Sequence, residues 1–201
     1  MAIFTGRVSK TRQVDAMRCY HPRLLGRAAA CPPNRAVGPM EIRVLPATPA
    51  HLPRILERWT ELMAAHQTVD EALFATAIHA PGTYQAFVRQ QMDKRTGLVL
   101  VAPDDAGDLR GYLVGGLGQR GPTFAVRDVG MIFDLAVRPA DRRLGVGRAL
   151  VAAAQASFRA RGLQHMQVNF APDNPEAAAF WPSLGYRPLL CEAYLALSEE
   201  P

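Results

Sequence analysis

Three arginines and two glycines cluster where a strand-like run gives way to a helix-like one: Arg142, Arg143, Gly145, Gly147 and Arg148, with Leu144 and Val146 between them. Glycines let a backbone approach a ligand closely and adopt conformations barred to other residues. A helix that opens at Gly145 presents N–H groups with no acceptor inside the helix, and its dipole adds positive charge. Together these features make an anion site suited to a pyrophosphate, to which the arginines can add charge-assisted hydrogen bonds. A glycine-rich turn ahead of a core helix accounts for the same residues when they are read alone. Two phosphate-binding patterns are excluded. A P-loop needs Gly-Lys-Ser/Thr, whereas Gly147 is followed by Arg148-Ala149. A dinucleotide fingerprint needs a third glycine where Leu150 stands, and no early first βαβ unit precedes the turn.

The elements that must position this turn begin at about Met40. Ile42–Leu45 alternates and stops at Pro46, the pattern of a strand. Thr48 can cap a helix with Pro49 at its first position, running to about His66 with Leu52, Ile55, Leu56, Trp59, Leu62 and Met63 on one stripe. Residues 70–96 look helical, broken at Pro81-Gly82. Leu98–Ala102 and Leu109–Leu117 read as a hairpin around the polar turn Pro103–Asp108, and Val126–Val137 as a longer strand. A helix over 145–161 ends at Gly162, a strand runs Gln164–Phe170, a short helix Asn174–Leu184 ends at Gly185, and a last strand covers Tyr186–Leu197. The order predicts one α/β domain around a mixed sheet.

Composition bounds the function classes. No apolar run approaches the ~20 residues that span a bilayer. Three cysteines, Cys19, Cys31 and Cys191, form no disulfide framework, which points to a reducing cytosol. Neither they nor the five scattered histidines have metal-ligand spacing, so no metal is expected. Residues 1–39 hold seven Lys/Arg and one acid, net +6; the rest hold 16 and 17, net −1. The basicity is thus confined to residues 1–39, a Pro- and Gly-punctuated extension expected to be disordered or an overlong start ahead of Met40. Its Arg-rich, acid-poor composition also resembles a transit peptide. Any nucleic-acid interaction would rest on this segment.

Arg142-Arg143-Leu144-Gly145-Val146-Gly147 matches the Arg/Gln-x-x-Gly-x-Gly/Ala motif of the GNAT acetyltransferases, and it follows Leu135-Ala136-Val137-Arg138-Pro139 as in that family. Asn174 through Tyr186, with Phe180-Trp181 and Gly185-Tyr186, resembles the family's second motif. The resemblance covers roughly residues 40–197. It implies a mixed, mostly antiparallel sheet flanked by helices, with middle strands that splay to admit acetyl-CoA. It also implies that, within Leu135-Ala136-Val137, the backbone of Leu135 and Val137 pairs with the pantetheine arm. Residues 142–148 would hold the pyrophosphate, and Asn174 would touch the pantetheine. The reaction implied is direct attack of an amine on the thioester.

Two positions depart from the family. Trp181 stands where many relatives place the tyrosine that protonates the thiolate, and Phe133 stands near their catalytic glutamate. Asp134 is the nearest carboxylate and the candidate base, a structural carboxylate being the competing role. Strict alternation puts Val129, Met131, Phe133, Leu135 and Val137 on an apolar face and Asp128, Gly130, Ile132, Asp134 and Ala136 on the other, which could line the cleft unless a bulge shifts the phase. Tyr84, His66 and His79 read as surface or packing residues, and Tyr186 as a core anchor. Three functions follow: acetylation of a small-molecule or peptide amine, acyl-CoA sensing by a degenerate domain, or nucleic-acid binding through residues 1–39. A homodimer is left open.

Overall fold

A computed structural model describes residues 41–195. The predicted extension 1–39, with Cys19 and Cys31, lies outside them.

Thr48 caps the approach to the first helix, a 3-10 turn that starts at Pro49 and becomes α-helix at Leu52. The His51 N–H donates to the Thr48 carbonyl at 2.9 Å, closing a 3-10 turn over Pro49–His51 that feeds α1, Leu52–Gln67, and the Thr48 N–H donates to His51 Nδ1 at 2.9 Å. Leu52, Ile55 and Trp59 are its buried stripe. The second helix, α2, is Ala80–Asp93. Pro81-Gly82 begins this helix rather than breaking one, because a proline in the first turn withholds an N–H that has no helical partner anyway. Residues 70–79 form turns.

Five strands follow the order β1-β2-β3-β4-β5: Leu45–Pro46, Gly97–Pro103, Leu109–Gln119, Asp128–Val137 and Met166–Val168. The first four pair antiparallel, while β5 returns parallel to β4 after the crossover helix α3, Val146–Ala160. The sheet is therefore mixed and mostly antiparallel, flanked by helices. Strand β2 is buried on both faces: Leu98, Leu100 and Ala102 pack toward α3, Val99 and Val101 toward α1 and α2. That double burial explains its unbroken apolar run. On the α3 face, Phe158 is fully buried, and a Cβ at Gly130 would lie 2.5 Å from its ring. Burial of such a ring contributes roughly 2–3 kcal/mol, and only glycine at 130 leaves room for it.

Two predicted strands are corrected. The ladder of the first covers only Leu45–Pro46, while Ile42 and Val44 pack into the α3-side core from irregular backbone. Residues 186–195, read as the start of a last strand, have no regular structure; Leu189, Leu190, Tyr194 and Leu195 are exposed. Ahead of them α4, Pro175–Ser183, ends as its glycine predicts, with Gly185 at φ 85°.

Candidate functional site

Strand β4 is split in use along its length. Strand β5 pairs with Gly130, Met131 and Ile132 only. From residue 133 to 137 the β5-side edge of β4 has no strand partner among the described residues. On its other side β4 pairs with β3 throughout, with one irregularity. Val114 faces Asp134 and Gly115 faces Ile132, so Phe133 is the extra residue of a β-bulge. Gly115 makes the bulge sterically feasible: a Cβ there would lie 2.6 Å from the Met131 carbonyl oxygen. A glycine inside a strand often marks such a place, and the Gly115-Gly116 pair was the sequence signal for it.

The bulge breaks the expected alternation. Ile132 packs on the α3 side, but so do Leu135 and Val137, while Ala136 packs toward α1 and α2. Phe133 and Asp134 consequently share the α1/α2 face. The Phe133 ring meets Phe87 edge-on at 5.6 Å, and Asp134 Oδ2 accepts from the Tyr84 hydroxyl at 2.9 Å. Tyr84 stacks on Trp59 with centroids 4.5 Å apart, and its hydroxyl is hydrogen-bonded to that of Tyr112 at 3.1 Å. A hydroxyl has one proton. When Asp134 is ionised, Tyr84 therefore donates to it and accepts from Tyr112. Burial pushes the Asp134 carboxyl up from its ordinary value, against the hydrogen bond from Tyr84, which favours ionisation. Burial likewise pushes both tyrosines up, so they remain proton carriers. Tyr84 is a packing residue, as read, but also the partner of the candidate base. Nothing local in the sequence links Trp59, Tyr84 and Tyr112 to Asp134.

Beyond Val137 the chain turns at Pro139–Asp141 into the glycine turn. Arg138 fixes that turn: it pairs with Asp141 in the turn itself, and with Asp104 at 3.1 Å and Asp108 at 3.0 Å in the β2–β3 connection. Arg143 follows at φ 64° and Gly145 at φ 91°, after which α3 begins. Arg142, Arg143, Leu144 and Gly145 are exposed, Val146 is buried, and Gly147 packs beneath Phe180, where a Cβ would come to 3.2 Å. The first turn of α3 thus begins beside three exposed residues, Arg142, Arg143 and Leu144, and a helix N-terminus carries partial positive charge. Arg142 reaches Glu176 at 2.9 Å, and Arg148 approaches Ser183 Oγ at 3.4 Å. Asn174 caps α4, its Oδ1 accepting from the N–H groups of Glu176 and Ala177 at 3.1 and 3.2 Å.

Trp181 is buried, packed edge-on against Phe180 and Tyr186. The reading of Tyr186 as a core anchor matches its place. His66, stacked on Phe74, is held down in pKa by burial; His79 is exposed at the start of α2. Among the described residues no group of three or more His, Cys, Asp or Glu could hold a metal, and no helix is long and apolar enough to cross a membrane.

A family model described as the acetyltransferase (GNAT) family matches residues 59–186. No curated protein matches the chain. Among solved structures, the chain is similar to a mutant of the BH1408 protein from Bacillus halodurans, with TM-score 0.69 and 25% identity over 78% of this chain and 100% of that one. It is similar in fold to an aminoglycoside antibiotic 6'-N-acetyltransferase from Acinetobacter haemolyticus, with TM-score 0.61 and 19% identity over 79% and 100%. It is also similar in fold to the aminoglycoside N-acetyltransferase AAC(6')-Iy in complex with CoA, with TM-score 0.57 and 16% identity over 79% and 99%. With more than half its length matched by the family model, the chain belongs to the GNAT family of acetyltransferases.

Proposed function

We propose that the protein transfers an acetyl group from acetyl-CoA to a primary amine by direct attack. One observation carries this reading: the unpaired edge of β4 runs from a part-buried carboxylate, Asp134, to an exposed glycine turn that opens a helix. Acetyl-CoA would supply an activated acetyl thioester. Val146, Gly147 and Arg148 would offer backbone N–H groups to its pyrophosphate, with Arg143 beside them and Arg142 able to exchange Glu176 for phosphate. The backbone groups of Leu135 and Val137, which face away from β3 on either side of Ala136, would hydrogen-bond the amides of its arm as a strand would. Leu144 lines the turn, and Asn174, with its amide nitrogen free of the capping bonds, could reach the same arm.

Asp134 accepts the proton that the amine nitrogen loses as it bonds to the acetyl carbon. The C–S bond breaks, and the sulfur departs as the thiol with a proton from solvent. Trp181 supplies none, being a buried indole with only a weak donor N–H. The raised pKa of Asp134 brings the base closer to working pH, where general-base help is worth about 10²–10⁴-fold. The absence of a long apolar helix among the described residues is compatible with a cytoplasmic enzyme.

Acyl-CoA sensing without turnover is the competing function, and one experiment separates the two. Free thiol is followed as the protein is incubated with acetyl-CoA and a panel of primary amines. Amine-dependent thiol release with a matching N-acetyl product is expected. Binding of acetyl-CoA with no release across the panel would favour the sensor.

A further inference from the structure

The bulge that turns Asp134 toward α2 also leaves an aromatic ring beside it. In a regular strand Phe133 and Asp134 would point to opposite faces; here they follow one another on the same one. Phe133 keeps 40% of its surface exposed although Phe87 backs it edge-on. The open ring therefore lies next to the candidate base, on the same face of the strand. Its surroundings extend it as a shelf. A Cβ at Gly116 would lie 3.3 Å from the Phe133 ring, and one at Gly118 would lie 3.3 Å from Met131 Cβ. Two glycines thus keep β3 flat beneath a ring and a thioether, both of which pack well against aromatic ligands. The polar atoms nearest Gly116 are Gln91 Oε1 and the Thr96 carbonyl, at 3.2 and 3.3 Å from that Cβ. Both are uncharged acceptors. They can take a hydrogen bond, but they cannot compensate several desolvated ammonium groups.

We infer that the acceptor is a primary amine carried one or two carbons from an aromatic or flat apolar group that stacks on Phe133, and not a polycation. The short spacing follows from the two consecutive side chains lying on one face of β4. The inference rests on the acetyl-transfer reading above and names the substrate class of that same site.

The test compares kcat/KM for acetylation of 2-phenylethylamine, n-butylamine and kanamycin by the full chain, in wild type and Phe133→Ala. Phenylethylamine is expected to exceed both others by about tenfold or more, the scale of one good aromatic contact plus its buried area. Phe133→Ala is expected to bring the phenylethylamine-to-butylamine ratio close to one. Phe133→Leu, which keeps apolar bulk without a ring, should fall between and serves if the alanine variant does not fold. A preference for kanamycin, or a ratio unmoved by both variants, overturns the inference while leaving acetyl transfer standing. No thiol release from any of the three, in protein that acetyl-CoA still stabilises, overturns the acetyl-transfer reading together with it.

Discussion

The two ends of the open β4 edge are built by different means. At the glycine turn, the seven consecutive positions 142–148 supply everything: backbone N–H groups, a left-handed glycine and adjacent arginines, all within one loop and the helix turn it opens. At the carboxylate, Asp134 depends on Tyr84 from α2, Tyr112 from β3 and Trp59 from α1, brought together from 75 positions along the chain. An anion site can be made from backbone, so its instructions are local. A tuned proton acceptor needs side chains converging from several elements. Mutations at the two ends should therefore fail differently: at the turn in binding, at the carboxylate in rate and pH dependence.

The largest effect is expected at the turn. Gly145 sits at φ 91°, and Gly145→Glu both strains that backbone and sets an anion where phosphate would lie. Acetyl-CoA at a hundred times Kd stabilises wild type by about 2.7 kcal/mol; in the variant the rise in Tm should vanish. Gly145→Ala separates the two causes. It carries the strain, about 1–2 kcal/mol, without the charge, and should keep part of the rise. A Gly145→Glu protein that binds with native affinity would place the cofactor elsewhere.

At the other end, Asp134→Asn should leave acetyl-CoA binding intact and lower kcat by about 10²–10⁴-fold. It should also remove the part of the pH–rate rise set by ionisation of the carboxyl, leaving only that of the amine itself. A variant that keeps wild-type kcat would reduce Asp134 to a structural role and erase the contrast between the two ends.

This contrast also explains what the sequence made legible. The turn, the crossover helix and the buried strand β2 follow from patterns a few residues long. So does the cap at Thr48. The facing of β4 does not, because one extra residue at Phe133 reverses every position after it relative to those before it. Asp134 stands out in the sequence as the nearest carboxylate to the family's glutamate, but its tyrosine partners lie on elements whose packing no local pattern encodes. The strand read over Tyr186–Leu197 shows the opposite error: residues 186–195 have strand-like composition, but no described strand pairs with them.

A smaller change should come from Tyr84→Phe, which keeps the stack on Trp59 and removes one hydroxyl. That hydroxyl favours the ionised carboxylate, so its loss should push the Asp134 pKa further up. The acidic limb of the pH–rate profile then moves to higher pH by about one unit, the scale of one hydrogen bond to a charge. At any pH on that limb the rate should drop about tenfold, and it should recover on the plateau above it. A uniform drop at every pH would instead point to displaced packing. Acetyl-CoA affinity should not move in either case.

The smallest effect is on stability, and it has a definite sign. Burial outweighs the Tyr84 bond, so the folded protein holds the Asp134 proton more tightly than the unfolded chain, whose ordinary value is 3.8. Between 3.8 and the raised folded value, the native state binds the extra proton. The favourable contribution is therefore complete below 3.8, declines as pH rises through that window, and is gone above the folded value. Asp134→Asn has no proton to lose, while its side-chain oxygen can still accept from Tyr84. The difference in Tm between the variant and wild type should thus shift in favour of the variant as pH rises, becoming constant above the window. For a chain of this size about 1 kcal/mol corresponds to roughly 2–4 °C. Thermal unfolding of both proteins from pH 4 to pH 8, taken as a difference, removes the titration of every other group. A difference that moves the other way, with the variant losing ground at high pH, would mean that the ionised carboxylate is held by more than it loses to burial, and that Asp134 is an anchor for α2 and not a tuned base.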